Sequence, residues 1–213
     1  MPLVVDRFAL GQYQANCYVV RADRGVADAA VIDPGGEPST LRLELARLGA
    51  RTAGILVTHT DVDHIGGVAE LAEGTGAEVW APAGEAEALR EGRSRSGNPV
   101  PAYEPEHVVR GGDTISVGGV DFEVVDVPGH SAGHVAFCAG DQLFAGDVLF
   151  AGSVGRVDLP GGDWQALLAS IERLLDRFGP DAVVYPGHGG RTTLGRELET
   201  NPFLADLRAA RRP

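Results

Sequence analysis

Lysine is absent from this sequence and cysteine is scarce. All 18 basic residues are arginines, against 30 acidic residues, so the formal net charge is −12. Such an acidic chain is poorly suited to a phosphate backbone, which argues against nucleic-acid partners. No apolar run reaches the roughly 18–20 residues of a membrane span, and nothing resembles a signal peptide, because Asp6 and Arg7 interrupt the N-terminal apolar stretch. We therefore expect a cytoplasmic protein with no nucleic-acid or membrane partner.

The two cysteines, Cys17 and Cys138, both lie in apolar, strand-like runs. This setting favours two buried free thiols over a disulfide. The rest of the composition is globular, with 44% hydrophobic and 23% charged residues. A length of 213 residues is enough for one domain with its own core.

The densest group of potential metal ligands occupies residues 58–64, with the sequence Thr-His-Thr-Asp-Val-Asp-His. It follows a short apolar run and precedes Gly66-Gly67, after which a helical pattern begins. Imidazole and carboxylate groups are common ligands of zinc, iron and manganese. A lone pair of histidines would equally suit a solvated surface loop, but similar segments recur downstream.

Three later segments share one form: an apolar run, a turn containing glycine, and then a histidine or aspartate. They end at His130, Asp147 and His188. Catalytic groups of open α/β sheets commonly lie just beyond the carboxyl ends of strands. Four strand ends of this kind would assemble one site from distant parts of the sequence.

Together these motifs resemble the metallo-β-lactamase superfamily. Their order and spacing are most similar to glyoxalase II (hydroxyacylglutathione hydrolase) and its short relatives, from about residue 12 to residue 204. The resemblance implies an α/β (α+β) fold, a four-layer αββα sandwich of two mixed sheets flanked by helices. It also implies two metal sites: site one from His59, Asp61 and His130, site two from Asp63, His64 and His188, with Asp147 bridging them.

Asp61 departs from the family pattern, which is Thr-His-x-His-x-Asp-His. A carboxylate there is a hard anionic donor in place of a neutral nitrogen, which adds negative charge and favours iron or manganese. Zinc remains the expected cofactor, as one or two ions, with iron or manganese as alternatives. On the sequence alone, Asp61→His is expected to raise zinc content or activity.

The implied function is metal-dependent hydrolysis of a small-molecule thioester, in which a metal-bound hydroxide attacks the carbonyl. Asp63 is the expected catalytic residue, because it would both bind metal and orient the hydroxide. Arg156 and Tyr185 are expected substrate contacts. A thioester suits such a site because its leaving thiolate needs little protonation.

Two other functions stay open. The first is an oxidoreductase of persulfide-dioxygenase type, with one iron held by two histidines and a carboxylate such as His59, His130 and Asp147. The second is a metal-stabilised scaffold without activity. Oxygen consumption with a thiol persulfide, and thioester turnover above a metal-free control, distinguish these from the hydrolase.

The remaining pattern predicts a single domain over residues 1–213, without the C-terminal glutathione-binding helical domain of full-length glyoxalase II. Ser39 or Thr40 is expected to cap a helix that Gly49 ends, and Asp163 to cap a long amphipathic helix. Residues 92–106 are expected to form a loop or lid, whose arginines contact either solvent or an anionic substrate. The remaining single-residue interpretations place Asp33 in a turn, His107 at the surface, and His134 in a structural or supporting role.

Overall fold

Two mixed β-sheets, one from each half of the chain, form the centre of the computed structural model, which describes residues 3–211. The first sheet contains, side by side in chain order, β1 (Val4–Leu10), β2 (Ala15–Arg21), β3 (Asp28–Ile32), β4 (Arg51–Leu56), β5 (Glu78–Pro82) and β6 (His107–Val109). Strands β1 to β3 pair antiparallel, and β3 to β6 pair parallel.

The second sheet begins with β7 (Thr114–Val117), β8 (Val120–Asp126), β9 (Val135–Ala139) and β10 (Gln142–Gly146). The next two strands, β11 (Leu149–Phe150) and β12 (Ser153–Val154), form a separate hairpin. The second sheet is completed by β13 (Val183–Pro186) and β14 (Thr192–Thr193). Its strand order is β14-β13-β10-β9-β8-β7. Strands β10 and β13 run parallel, so the segments that follow them emerge at the same edge.

Helices cover the outer face of each sheet. They are α1 (Pro38–Leu48), α2 (Val62–Ile65), α3 (Val68–Thr75), α4 (Ala86–Arg90), α5 (Trp164–Arg177), α6 (Leu194–Thr200) and α7 (Ala205–Ala210), with a 3-10 turn at Pro202–Leu204. Leucines of α1, α3 and α4 pack on the first sheet, and Leu167, Ile171 and Leu174 of α5 on the second. The result is the expected αββα sandwich.

Strand β2 shows why the sheets lie inside the sandwich. All seven of its residues are buried. Cys17 and Val19 pack towards the helices, whereas Tyr18 and Val20 pack between the sheets. Side chains alternate between faces along a strand, so an unbroken apolar strand needs cover on both sides.

The structure confirms one of the two predicted helix caps. Asp163 caps α5 by accepting a 2.9 Å hydrogen bond from the Ala166 N–H, as predicted. The predicted cap of α1 is wrong: this helix begins at Pro38, which favours the first helical turn because it has no N–H to satisfy. The sequence also predicts one or two helices over Leu194–Arg212, and the structure has α6 and α7 there; Arg212 itself lies outside the described residues.

Cys17 and Cys138 are buried free thiols, as expected. Burial raises the pKa of both, that of Cys138 to about 12. Within residues 3–211, no helix is long and apolar enough to cross a bilayer.

Candidate metal centre

Strand β4 and the short helix α2 deliver the first four candidate ligands. His59 follows the strand, Asp61 stands at the start of α2, and α2 carries Asp63 and His64. The His64 main-chain N–H donates to the Asp61 carbonyl at 2.9 Å, and this hydrogen bond fixes the turn between the two residues. His59 and His64 are fully buried, and Asp61 is nearly so.

The second sheet delivers the remaining three ligands from its loops. His130 follows β8, Asp147 follows β10 and His188 follows β13. Gly187 is needed beside His188, because a Cβ on it would lie 2.0 Å from Asp147 Oδ1. The structure thus brings all seven expected metal ligands to one place.

Site one has donor atoms at coordination spacing. Asp61 Oδ2 lies 3.7 Å from His59 Nε2 and 3.1 Å from His130 Nε2. His130 Nε2 lies 3.6 Å from Asp147 Oδ2. Ligands that each lie about 2.0–2.2 Å from one ion are separated by distances of this size.

Site two has the same spacing. His64 Nε2 lies 3.5 Å from Asp147 Oδ1 and 3.9 Å from Asp63 Oδ2. His188 Nε2 lies 3.2 Å from Asp63 Oδ2 and 3.6 Å from Asp147 Oδ2. Asp147 therefore faces both sites, as a bridging ligand would.

Hydrogen bonds at the far ring nitrogens set the histidine tautomers. The Nδ1–H of His64 donates to Asp33 at 3.0 Å, and that of His130 to the Arg156 carbonyl at 2.8 Å. The Thr58 hydroxyl donates to Asp33, so it accepts from His59 Nδ1–H at 2.9 Å. Each Nε2 is left with its lone pair directed into the centre, as metal ligation requires.

Unpartnered buried atoms support a metal at both sites. Among the described residues, His59 Nε2, His64 Nε2 and Asp147 Oδ1 are buried and have no hydrogen-bond partner. Leaving such atoms unsatisfied costs about 1–3 kcal/mol each. A divalent ion would satisfy them, so these residues fit the metal that the fold family implies.

Charge is concentrated at the centre when no ion is bound. Burial lowers the pKa of His64, but the carboxylates of Asp147 and Asp33 outweigh it and raise the pKa to about 10. Burial and the nearby His64 lower the pKa of His59, which stays neutral. Burial raises the pKa of Asp61, but the nearby His130, His59 and Arg95 side chains hold it far below its usual range.

Arg95 reaches the centre from the 92–106 loop. Its side chain is only 7% exposed and forms a two-pronged ion pair with Asp61. Neither of the two environments expected for the loop arginines, solvent or substrate, describes Arg95. By contrast, Arg90 pairs with Glu104 and Glu87 at the surface.

A cavity of about 400 Å³ opens above the candidate ligands. Arg156 lines it, as expected of a substrate contact, and is paired with Asp158 at 2.6 Å. Tyr13, which the sequence interpretation did not single out, stands at its rim and is 57% exposed. Tyr185 packs instead between the sheets and donates to Gln142, so the structure does not support its expected substrate contact.

Three more residues support the ligands. Asp33 accepts from Thr58 and His64, besides occupying the predicted turn at a φ of 52°. His134 stacks on His59 with ring centroids 4.5 Å apart, which agrees with a structural role. Glu85 is buried and accepts hydrogen bonds from Thr60 and Ser131, which lie next to His59 and His130. The sequence carries a local signal for Asp33, its position after a strand, but no such signal for Glu85.

Fold and metal geometry together define a metallo-hydrolase class. Residues 10–188 match the Metallo-beta-lactamase superfamily, and the chain belongs to it. Over 200 residues the chain is 36% identical to hydroxyacylglutathione hydrolase GloC of Haemophilus influenzae, covering 90% of this chain and 93% of that protein.

Two solved structures show the same similarity. The BLEG-1 B3 metallo-beta-lactamase is 35% identical with a TM-score of 0.88, covering 95% of this chain and all of the other (100%). TTHA1623 in a di-iron-bound form is 40% identical with a TM-score of 0.82, covering 93% and 100%.

Proposed function

We propose that this protein is a metal-dependent hydrolase that cleaves a thioester. The observation that carries the proposal is the convergence of seven ligand side chains, with histidine Nε2 atoms turned inward, on the floor of an open cavity. The similarity to a hydroxyacylglutathione hydrolase over nearly the whole chain supports the thioester. Zinc is the expected metal, and Asp61 together with the di-iron relative supports iron as the alternative.

Bound metal would supply Lewis acidity, polarising a carbonyl oxygen and lowering the pKa of water. His59, Asp61, His130 and Asp147 would hold one ion, and Asp63, His64, His188 and Asp147 the other. Burial raises the pKa of Asp63, but the hydrogen bond from His188 lowers it overall. Asp63 therefore stays a carboxylate that can orient an attacking water through an oxygen at the cavity floor.

The cavity lining supports a substrate of modest size and low charge. Tyr13, Val62 and Leu159 give it apolar surface, and Ser96 and Asn98 offer neutral hydrogen-bonding groups. Arg156 contributes a cation, but Asp158 already neutralises it. Such a lining fits an acyl chain better than a polyanion.

Thiol release from two thioesters tests the proposal, one of them an acylglutathione and the other built on an uncharged thiol. Metal-loaded protein should hydrolyse at least one of them, and chelation should abolish turnover. Asp63→Asn should lower kcat by about 10²–10⁴-fold. His107→Ala is the matched control, because this histidine lies outside the centre and bonds Glu78. If protein with verified bound metal releases thiol from neither of the two thioesters, the proposal is overturned.

Two further substrates belong in the same assay because specific observations favour them. A β-lactam is one, since a relative of 35% identity is called a B3 metallo-beta-lactamase. A thiol persulfide with oxygen is the other, since His59, His130 and Asp147 form a set of two histidines and one carboxylate. Oxygen consumption by the iron-loaded protein, without hydrolysis of any thioester, would favour the dioxygenase.

A further inference from the structure

Every nitrogen of the Arg95 guanidinium has a partner inside the protein. Nε donates to Asp61 Oδ1, and Nη2 lies 2.9 Å from Asp61 Oδ2 and 3.1 Å from His130 Nε2. Nη1 donates to the carbonyls of His130 and Pro160 at 2.8 and 3.0 Å. The Arg95 main-chain N–H donates to the Thr60 carbonyl at 3.0 Å, so the backbone is anchored as well.

These contacts hold all three guanidinium nitrogens of Arg95 inside the protein. Arginine suits the position because its planar fork matches a carboxylate and stays charged at any working pH. Lysine could supply the charge but not the fork. The guanidinium is therefore a fixed part of the centre and not a mobile recognition group.

The two oxygens of Asp61 face different partners. Oδ1 faces Arg95 alone, whereas Oδ2 also faces the Nε2 atoms of His59 and His130 at 3.7 and 3.1 Å. Oδ2 is thus the oxygen at coordination spacing. Oδ1 serves to orient the carboxylate.

The charge of this pair is zero, like that of the neutral imidazole in the family pattern. An unpaired carboxylate at position 61 would add negative charge to site one, and an unpaired guanidinium beside the ion would repel it. Arginine and aspartate together avoid both effects.

We propose that Asp61 and Arg95 act as one net-neutral unit that replaces a histidine at site one. Asp61 offers Oδ2 to the ion, and Arg95 is a positioning residue that neutralises and orients it. This inference rests on the proposed metal centre, but its test counts bound metal, so failure to hydrolyse a thioester does not bear on it.

The unit revises the expected effect of Asp61→His. Alone, this substitution leaves the Arg95 guanidinium unpaired beside the ion, so it should weaken site one and not improve it. Adding Arg95→Met removes the charge while keeping a stem of similar length, and should restore binding.

The experiment is equilibrium dialysis against defined free Mn²⁺, followed by elemental analysis of metal per chain. Wild type should take up two equivalents. Asp61→His should bind the second equivalent at least about tenfold more weakly, and Asp61→His/Arg95→Met should recover it. Asp61→His/Arg156→Met is the matched control: it removes a cation of the same cavity that contacts Asp158 instead, and should not recover it.

Three results would overturn the proposal: a second equivalent bound by Asp61→His as tightly as by wild type, no recovery in a folded double variant, or one equivalent in wild type. One equivalent of metal in wild type would mean that the Arg95 guanidinium takes the place of the ion at site one. If Asp61→His fails to fold, Arg95→Lys decides, since losing the fork should weaken the second equivalent about tenfold and leave the first unchanged. Equal affinity of Arg95→Lys and wild type for both equivalents would also overturn it.

Discussion

Glu85 accepts hydrogen bonds from both loops that form site one. The Thr60 N–H and hydroxyl donate to it from the β4 side, the former at 3.2 Å. The Ser131 hydroxyl and the Gly133 N–H donate from the β8 side at 2.7 and 3.0 Å. A single buried carboxylate therefore sets the separation of His59 from His130.

Replacing Glu85 by alanine should lower the free energy of unfolding by about 3–5 kcal/mol, because four donors, three of them buried, lose their acceptor. Glu85→Gln is the matched control, since it keeps the volume and one acceptor oxygen and should cost less. Urea denaturation of the metal-free proteins measures both. A loss below about 1 kcal/mol for Glu85→Ala would show that the loops are held by other contacts.

Individual residues were predictable where local pattern carried the information. The ligands follow strands and glycine turns, so they could be found from the sequence. Glu85 and Arg95 contact residues that lie 25 to 65 positions away in the chain. The only sequence signal for Arg95 is the extra negative charge of Asp61, which a nearby cation would balance.

Helix α5 and the turn that carries His130 are packed together through main-chain atoms. The Asp163 N–H donates to the Gly129 carbonyl at 2.8 Å, and the Ser170 hydroxyl to the Pro128 carbonyl at 2.7 Å. Gly129 has a φ of 133°, and a Cβ there would lie 2.2 Å from the Leu167 nitrogen. The turn thus requires glycine both for its conformation and for its closeness to the helix.

Gly129→Ala should destabilise the protein by about 2–4 kcal/mol, because helix backbone cannot move aside as a flexible side chain would. Gly179→Ala, just beyond the other end of α5, is the control. A Cβ there meets nothing within 4 Å, so its effect should stay within about 0.5 kcal/mol. Equal unfolding midpoints for the two variants would contradict this account.

At the scale of elements, segments with a clear apolar run or stripe were predicted, and strands β6 and β7 were not. The apolar stripe of α5 recurs at helical spacing, and β2 and β3 are continuous apolar runs. Strands β6 and β7 have only three and four residues, and pairing with neighbours stabilises them more than their own composition does. The start of α1 was misjudged because several residues there suit a helix terminus.

The whole molecule is joined at the metal centre. The first sheet supplies His59, Asp61, Asp63 and His64, whereas the second supplies His130, Asp147 and His188. Each site takes ligands from both sheets. Bound metal therefore links the two halves of the sandwich, and its binding energy adds to their association.

Metal removal should consequently lower global stability. An ion that binds only the folded chain stabilises it by about 4 kcal/mol at a free concentration of 1,000 times Kd, which corresponds to a Tm change of about 10 °C. Calorimetry before and after chelation measures this, with elemental analysis to verify removal. Asp147→Asn, which changes the bridging ligand, should show a smaller change. An unchanged Tm in verified metal-free protein would mean that the halves associate independently of the ion.

The division of ligands between the sheets also relates folding to metal loading. Neither half holds a complete coordination set, and the last ligand, His188, follows β13 in the second sheet. An ion bound to either half alone would lack ligands of both proposed sites. Both sheets must come together before either proposed site is complete, and the folded chain would then load its metal through the open cavity, so metal supply would determine the maturation of the folded protein.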